Sequence, residues 1–115
     1  MLGKKGERLA AHFLQSQGYG ILESNVRFQH KELDLIAEKN GELIFIEVKT
    51  RRGTNFGHGE EAVSHKKQKN VLSVGFEYVK KHPALKFLKW RFDIIAIDIA
   101  ADGSAREVEH IKDVY

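Results

Sequence analysis

The sequence predicts an α/β protein whose central mixed β-sheet is flanked by helices. Two stretches, residues 3–18 and 60–82, repeat apolar residues at helical spacing. The stretches between and after them alternate apolar and polar residues or are continuously apolar, as strands do. The dipeptide Asn40-Gly41 separates two alternating runs and indicates a tight hairpin. The predicted order is therefore α-β-β-β-α-β(-β), in which the bracketed strand is optional.

The first half of the chain is predicted to hold one helix and three strands. The helix covers residues 3–18, and Gly18 ends it because glycine readily adopts the positive φ of a helix terminus. Strands follow at residues 19–27, 31–39 and 42–50. The helix positions expected to face the core are Leu2, Leu9, Ala10, Phe13 and Leu14.

The second half begins with a basic, glycine-rich loop over residues 51–59. A helix over 60–82 follows, and Pro83 ends it. The last strands are expected at 90–99 and 106–114. The helix positions expected to face the core are Val63, Val71, Leu72, Val74, Tyr78 and Val79.

The composition is that of a soluble globular protein with its own core. The 115 residues fit a single domain over 1–115, and cysteine is missing, which excludes disulfides and thiolate metal sites. Apolar runs are too short to cross a bilayer, and the N-terminus lacks the apolar region of a signal peptide. We therefore expect a cytoplasmic protein with no membrane partner. The net charge of +3 is a weak indication of a polyanionic partner.

The Asn-Gly hairpin sets a register that brings charged residues together. Counting outward from the turn, Lys39 faces Glu42 and Asp34 faces Glu47. Strand alternation predicts two distinct faces. One holds Leu33, Leu35, Ala37, Ile44, Ile46 and Val48, and the other holds Glu32, Asp34, Ile36, Phe45, Glu47 and Lys49.

Two opposed carboxylates in mid-strand need a compensating charge. Like charges directly opposite each other destabilise a sheet, and a divalent cation such as Mg²⁺ would offset the repulsion. Lys49 could then orient an attacking water or neutralise charge on a phosphate. The alternative is a solvated ion-pair cluster of Asp34, Glu47 and Lys49 that contributes little.

Glu7 is a third candidate acid. It lies at the border of the apolar stripe of the first helix, from where its carboxylate could look along the sheet toward Asp34. The alternative is an acidic first-turn residue that the helix dipole favours.

Asp34, followed thirteen residues later by Glu47-Val48-Lys49, resembles the D…ExK signature of the PD-(D/E)XK nucleases. With Glu7 the set is similar to archaeal-type Holliday junction resolvases. The chain most resembles the YraN-like family of small bacterial predicted endonucleases. The matching segments are "GE" at 6–7, "ELDLIA" at 32–37, "IFIEVKTR" at 44–51, "FG" at 56–57, "EAV" at 61–63, Lys66 and "RFDII" at 91–95.

The resemblance implies a restriction-endonuclease-like core and a metal-dependent endonuclease acting on DNA, including branched DNA. Asp34, Glu47 and the Val48 carbonyl would hold Mg²⁺ or Mn²⁺. Glu7, Asp34, Glu47 and Lys49 would form the catalytic set. Lys66 is carried over as a phosphate or active-site contact. A homodimer is also implied, because junction resolvases cut two strands symmetrically.

Three further residues are candidates for nucleic-acid contact. Arg51 and Arg52 follow the strand of Glu47, and Phe56 could wedge against a base, although a loop anchor explains Phe56 equally well. Two other functions stay open. One is a nucleic-acid-binding module of the same fold that acts with a partner, and the other is an interaction protein without a nucleic-acid role.

Overall fold

The computed structural model describes residues 2–52 and 65–114 of the chain. Its order α-β-β-β-α-β-β confirms the predicted fold class. A 3₁₀ helix, Pro83–Phe87, follows the second α-helix. The main elements are α1 Leu2–Ser16, β1 Gly20–Phe28, β2 Lys31–Lys39, β3 Glu42–Arg52, α2 His65–Lys81, β4 Lys89–Ile99 and β5 Ala105–Ile111.

The five strands form one mixed sheet in the order β1-β2-β3-β4-β5. All neighbouring strands are antiparallel except β3 and β4, which run parallel. A parallel pair needs a crossover between its strands, and α2 lies within that connection. Each helix covers one face, so the sheet is buried on both sides.

The face under α1 carries one core cluster. Ala10 and Leu14 of α1 are fully buried there, and Gly18, with φ of 91°, follows the end of the helix as predicted. The strand residues of this α1-side core are Leu35, Ala37, Ile44, Ile46, Ile95, Ile97 and Ile99.

The face under α2 carries a second core cluster. Phe45 lies at its centre and stacks against Phe92 with ring centroids 5.0 Å apart. Gly75 of α2 lies directly over Phe45. A Cβ at position 75 would be only 3.2 Å from the Phe45 ring. The helix residues of this α2-side core are Val71, Val74, Tyr78 and Val79.

The β2–β3 hairpin has the predicted turn and register. Asn40 and Gly41 have φ of 52° and 78°, the left-handed values that a two-residue hairpin turn requires. Paired residues run from Lys39↔Glu42 to Leu35↔Ile46. The direct pairing predicted for Asp34 and Glu47 lies beyond the last paired residues.

Three features of the strands differ from the predictions. Arg51 and Arg52 belong to β3 and not to a loop, because β3 continues its ladder with β4 as far as Arg52↔Ile99. β5 ends at Ile111, three residues before its predicted end. Leu33 packs under α2, on the opposite face from Leu35. Phe56 and Val63 lie outside the described residues.

Within the described parts of the chain, neither α-helix has the length and apolar character needed to cross a membrane.

Candidate metal centre

A close contact between α1 and β3 positions the start of α1 over the sheet. Gly6 is buried against Thr50 of β3, and a Cβ at position 6 would overlap the Thr50 side chain. Only glycine allows this approach without a shift of Thr50 or of α1. The next residue of α1 is Glu7, so this contact fixes the backbone position from which the Glu7 side chain extends.

Three acids converge at this end of α1. Glu7, Glu32 and Asp34 each offer one carboxylate oxygen, and the three oxygens lie within 4.8 Å of one another. All three residues are half-buried. We refer to this set as the acid cluster. It draws on α1 and on the first half of β2.

The alternation of β2 is interrupted at Asp34. Leu33 lies in the α2-side core and Leu35 in the α1-side core, although residues two apart in a regular strand share a face. Ile36 lies under α2, whereas Glu32 and Asp34 meet Glu7 of α1. The predicted common face for Asp34 and Ile36 is therefore wrong. The irregularity is what directs two acids of β2 toward α1.

Asp34 also binds the backbone of β3. Its Oδ2 accepts a hydrogen bond from the Val48 N–H at 2.8 Å. This contact lies just beyond Leu35↔Ile46, where the regular ladder ends. The Asp34 carboxylate thus takes the place that a backbone carbonyl of β2 would have in a continued ladder. It lies against the peptide that joins Glu47 to Val48.

The remaining predicted site residues lie on β3 and α2. Glu47 is buried, with 5% of its surface exposed, and Lys49 and Arg51 are half-buried further along β3. Arg52 is the last residue of β3, and Lys66 lies in the first turn of α2. Val48 packs on the α1-side core and Thr50 meets Gly6 of α1, so the regular alternation of β3 turns Glu47 and Lys49 toward the α2 side of the sheet. Asp34 reaches this strand through the Val48 N–H.

The environment of the acid cluster disfavours the ionised form of Glu7. Partial burial raises the pKa of Glu7, and the negative charge of Asp34 raises it further. A hydrogen bond from the Asn25 side chain acts in the opposite direction. Carboxylates that repel one another within reach of a common point form a suitable donor set for a hard divalent cation, which prefers oxygen ligands.

Asn25 supports the acid cluster from β1. It lies between the pairs Ser24↔Leu35 and Val26↔Leu33, which places it across from Asp34. Its φ is 54°, a left-handed value that is uncommon within a strand. Backbone irregularities of this kind often occur near functional sites. Here the irregularity occurs at the residue whose side chain acts to lower the pKa of Glu7.

A cavity of about 180 Å³ adjoins Glu7. Lys4 and Arg8, both exposed, stand on the same side of α1 as Glu7 and line this cavity with it. Two cations beside a group of carboxylates would suit a ligand that carries both a phosphate and a bound cation. The other lining residues are Ala11, Ile21, Ser24, Asn25 and Leu35.

Arg91 and Asp93, both in the matching segment at 91–95, form a network outside the acid cluster, in which the Asp93 carboxylate is buried. Arg91 donates to Asp93 at 2.9 Å and to the Tyr19 hydroxyl at 2.9 Å. His110 Nε2 lies 2.7 Å from Asp93 Oδ2, and the Asp113 N–H donates to Asp93 Oδ1. The network joins β4, the end of β5 and the start of β1. We interpret it as structural.

The pKa of Asp93 lies below its usual range. Burial acts to raise it, but the hydrogen bonds from His110, Arg91 and the Asp113 backbone outweigh burial. The charged carboxylate is therefore the form that the fold stabilises.

Two residues of the site were missed from the sequence. Glu32 was placed on the face of Asp34 but not among the predicted ligands, and Asn25 was not singled out. The position of Glu32 two residues before Asp34 was a usable signal for a shared face. The left-handed conformation of Asn25 depends on tertiary contacts and had no sequence signal beyond the residue type.

Comparison with known proteins assigns the chain to a family. The family described as "Uncharacterised protein family UPF0102" matches residues 6–97. A UPF0102 protein of Syntrophomonas wolfei is 41% identical over 114 residues, covering 99% of this chain and 96% of that protein. One from Dictyoglomus turgidum is 39% identical with the same coverage. One from Chloroherpeton thalassium is 42% identical, covering 98% of this chain and 87% of that protein.

The chain therefore belongs to the UPF0102 family. This confirms the predicted membership of the YraN-like family, and the assignment to the nuclease superfamily stays a prediction. The family description names no activity.

Proposed function

We propose that this protein is a metal-dependent endonuclease that hydrolyses phosphodiester bonds in DNA. The observation that carries the proposal is the convergence of Glu7, Glu32 and Asp34 to within 4.8 Å, beside the strand that holds Glu47 and Lys49. The resemblance of Asp34…Glu47-Val48-Lys49 to the D…ExK nuclease signature supports the same activity.

The donor set suits Mg²⁺ or Mn²⁺. Both are hard cations that take carboxylate and carbonyl oxygens and keep water ligands for a substrate. Asp34 is common to the acid cluster and to the ligand set that the resemblance implies, which adds Glu47 and the Val48 carbonyl. When bound, such an ion activates water and stabilises charge on a phosphoryl group.

The protein's own groups have separate roles in this proposal. Asp34, Glu32 and Glu7 hold the cation, and the Val48 N–H fixes the orientation of the Asp34 carboxylate. Lys49 orients the attacking water or neutralises charge that develops on the phosphate. Lys4 and Arg8 beside Glu7, with Arg51 and Arg52 on β3, contact the DNA backbone.

The net charge of +3 agrees with a polyanionic substrate. We extend the proposal to branched DNA and to a homodimer, because symmetric cleavage of a junction requires two active sites related by a two-fold axis. Both extensions rest on the resemblance to junction resolvases.

A cleavage panel tests this proposal. Linear duplex, single-stranded, flapped and four-way DNA are incubated with protein and either Mg²⁺ or Mn²⁺. Asp34→Asn is expected to lose cleavage, whereas Glu38→Gln, which removes a carboxylate from the same strand outside the acid cluster, should keep it. If the unmodified protein cuts none of these substrates with either ion, it is not a nuclease.

The second candidate is a nucleic-acid-binding module of the same fold. One oxygen of Asp34 is already engaged by the Val48 N–H, which favours a structural contribution from this carboxylate. A module of this kind would bind DNA equally well in EDTA and in Mg²⁺, and it would release no product.

A further inference from the structure

An aromatic side chain of α2 is exposed on the surface. Phe76 has 65% of its surface accessible, more than any other large hydrophobic residue among those described. Its ring packs edge-on against Trp90, with centroids 5.3 Å apart, and Trp90 packs edge-on against Phe45 of the core. The exposed ring is therefore held in place by a chain of aromatic contacts.

Phe76 separates two surface depressions. One, of about 600 Å³, is lined by Phe28, Lys31, Lys69, Asn70, Leu72, Ser73, Phe76 and Glu77. The other, of about 680 Å³, is lined by Phe76, Glu77, Val79, Lys80, Pro83 and Trp90. Both are open and part apolar. An extended chain lying across α2 would pass over the Phe76 ring.

The first depression continues toward the acid cluster. A third depression, of about 220 Å³, is lined by Arg27, Gln29, His30, Lys31 and Glu32. It shares Lys31 with the depression beside Phe76, and its Glu32 belongs to the acid cluster. The three depressions meet at Lys31 and Phe76 and lead around the start of β2, from Glu32 on the α1 side to Phe76 on the α2 side. We call this surface the α2 path.

The charges along the α2 path are mainly positive. Glu32 pairs with Arg27 at 3.2 Å, and Glu77 pairs with Lys80 at 3.6 Å. Lys31 Nζ lies 3.4 Å from the Ser73 hydroxyl, a partner that carries no negative charge. Lys69 is exposed. Within the described residues, Lys31 and Lys69 thus add positive charge beyond the two ion pairs.

We propose that the α2 path binds a single-stranded segment of nucleic acid, with a base stacked on Phe76 and phosphates near Lys31 and Lys69. Stacking on an exposed aromatic ring within a cationic groove is how proteins hold single strands without reading sequence. A segment on this path leads to Glu32, so the inference rests on the proposed nuclease function. It specifies a substrate with an unpaired strand, such as a flap or a fork.

A second copy of this chain is the other occupant to consider. The apolar surface here is interrupted by Lys31, Lys69, Ser73 and Lys80, whereas stable homodimer interfaces have apolar centres depleted of charge. The charge pattern therefore favours nucleic acid.

The experiment measures binding in EDTA, so that cleavage and cation binding do not contribute. Fluorescence anisotropy follows a labelled oligothymidine and a duplex of equal length. Phe76→Ala should weaken binding of the single strand by roughly 5- to 100-fold and leave duplex binding within about twofold. Phe76→Trp should retain binding. Leu22→Ala, which shortens an exposed apolar residue of β1 outside the path, is the matched control.

A second variant tests the phosphate contact. Lys69→Gln should reduce the salt dependence of single-strand binding by about 0.7 in the slope of log K against log salt. Unchanged binding of the single strand by Phe76→Ala, or no binding by the unmodified protein, overturns the proposal. The proposal is also overturned if sedimentation shows a dimer of the unmodified protein that Phe76→Ala loses while single-strand affinity is kept. That result assigns the surface to a second copy of the chain.

The proposed function has a separate readout. Asp34→Asn is expected to abolish cleavage while keeping single-strand affinity. Retained cleavage in Asp34→Asn contradicts the nuclease assignment of the acid cluster, and it does not alter the result for Phe76.

Discussion

The carboxylate of Asp34 accepts a hydrogen bond from the Val48 N–H at 2.8 Å, where the ladder between β2 and β3 ends. One side chain thereby joins the acid cluster to the backbone of the strand that carries Glu47 and Lys49. The same carboxylate serves the fold and the proposed cation site, and substitutions can separate these two roles.

Asp34→Asn and Asp34→Ala should differ in stability but not in cation binding. Asparagine keeps a carbonyl oxygen that can accept the Val48 N–H, so its free energy of unfolding should stay within about 1 kcal/mol of the unmodified protein. Alanine leaves that N–H unpaired and should cost about 1–3 kcal/mol. Both variants should lose Mn²⁺ binding. Urea unfolding and calorimetric titration measure the two effects, and equal stabilities would contradict the structural role.

Glu7→Gln should raise the stability of the protein slightly and weaken its cation binding. The ionised Glu7 is disfavoured by partial burial and by Asp34. Removing its charge should therefore stabilise the cation-free protein slightly, by less than about 1 kcal/mol because the site is partly solvated. The same change should weaken Mn²⁺ binding.

Thermal unfolding of Glu7→Gln with and without Mn²⁺ checks this, with the exposed Glu23→Gln as the control. A Glu7→Gln protein that Mn²⁺ stabilises as much as the unmodified protein would exclude Glu7 as a ligand.

Gly6→Ala tests whether the contact of α1 with β3 sets the site. The added Cβ would overlap Thr50, and overpacking of this kind typically costs about 1–3 kcal/mol. Displacement of α1 should also weaken Mn²⁺ binding, because Glu7 is the next residue. The double variant Gly6→Ala/Thr50→Ala should recover part of both losses.

Gly20→Ala is the control for Gly6→Ala. The nearest atom to its added Cβ is 3.8 Å away, so only a small stability change is expected. If Gly6→Ala behaves like Gly20→Ala in unfolding and in Mn²⁺ titration, the close contact is not required.

Asp93→Asn tests the buried network of Arg91 and His110. Removing one partner of a buried ion pair leaves the other uncompensated, and we expect a loss of about 3–5 kcal/mol at pH 7. Because the folded protein lowers the pKa of Asp93, its stabilising effect is present above the unfolded value of about 3.9 and is lost as pH falls through the lower folded pKa.

Urea unfolding at pH 7 and near pH 2.5 measures this dependence. The stability gap between the unmodified protein and Asp93→Asn should narrow in acid. Asp113→Asn removes a neighbouring carboxylate and keeps the backbone N–H that binds Asp93, so its stability should change little. A gap of constant size across this pH range would contradict the role assigned to Asp93.

The hairpin register was predictable because the Asn-Gly turn and strict alternation encode it locally. The pairing from Lys39↔Glu42 to Leu35↔Ile46 follows from the turn alone. Helix positions were predictable for the same reason, since Ala10, Leu14, Val74 and Tyr78 repeat at helical spacing and are buried.

The interruption at Asp34 was not predictable from alternation. A regular strand places Leu33 with Leu35, and only the tertiary fold shows them in different core clusters. The role of Glu32 depends on this interruption and on where α1 crosses the sheet. The extension of β3 to Arg52 likewise depends on its parallel partner β4, which lies far away in the sequence.

Paramagnetic broadening by Mn²⁺ in an amide NMR spectrum tests the central claim most directly, because it locates the bound cation. Substoichiometric Mn²⁺ should first broaden the amide signals of Glu7, Glu32, Asp34 and Val48, and Asp34→Asn should abolish this local effect. Uniform weak broadening, or broadening centred on another part of the protein, would contradict a cation site at the acid cluster.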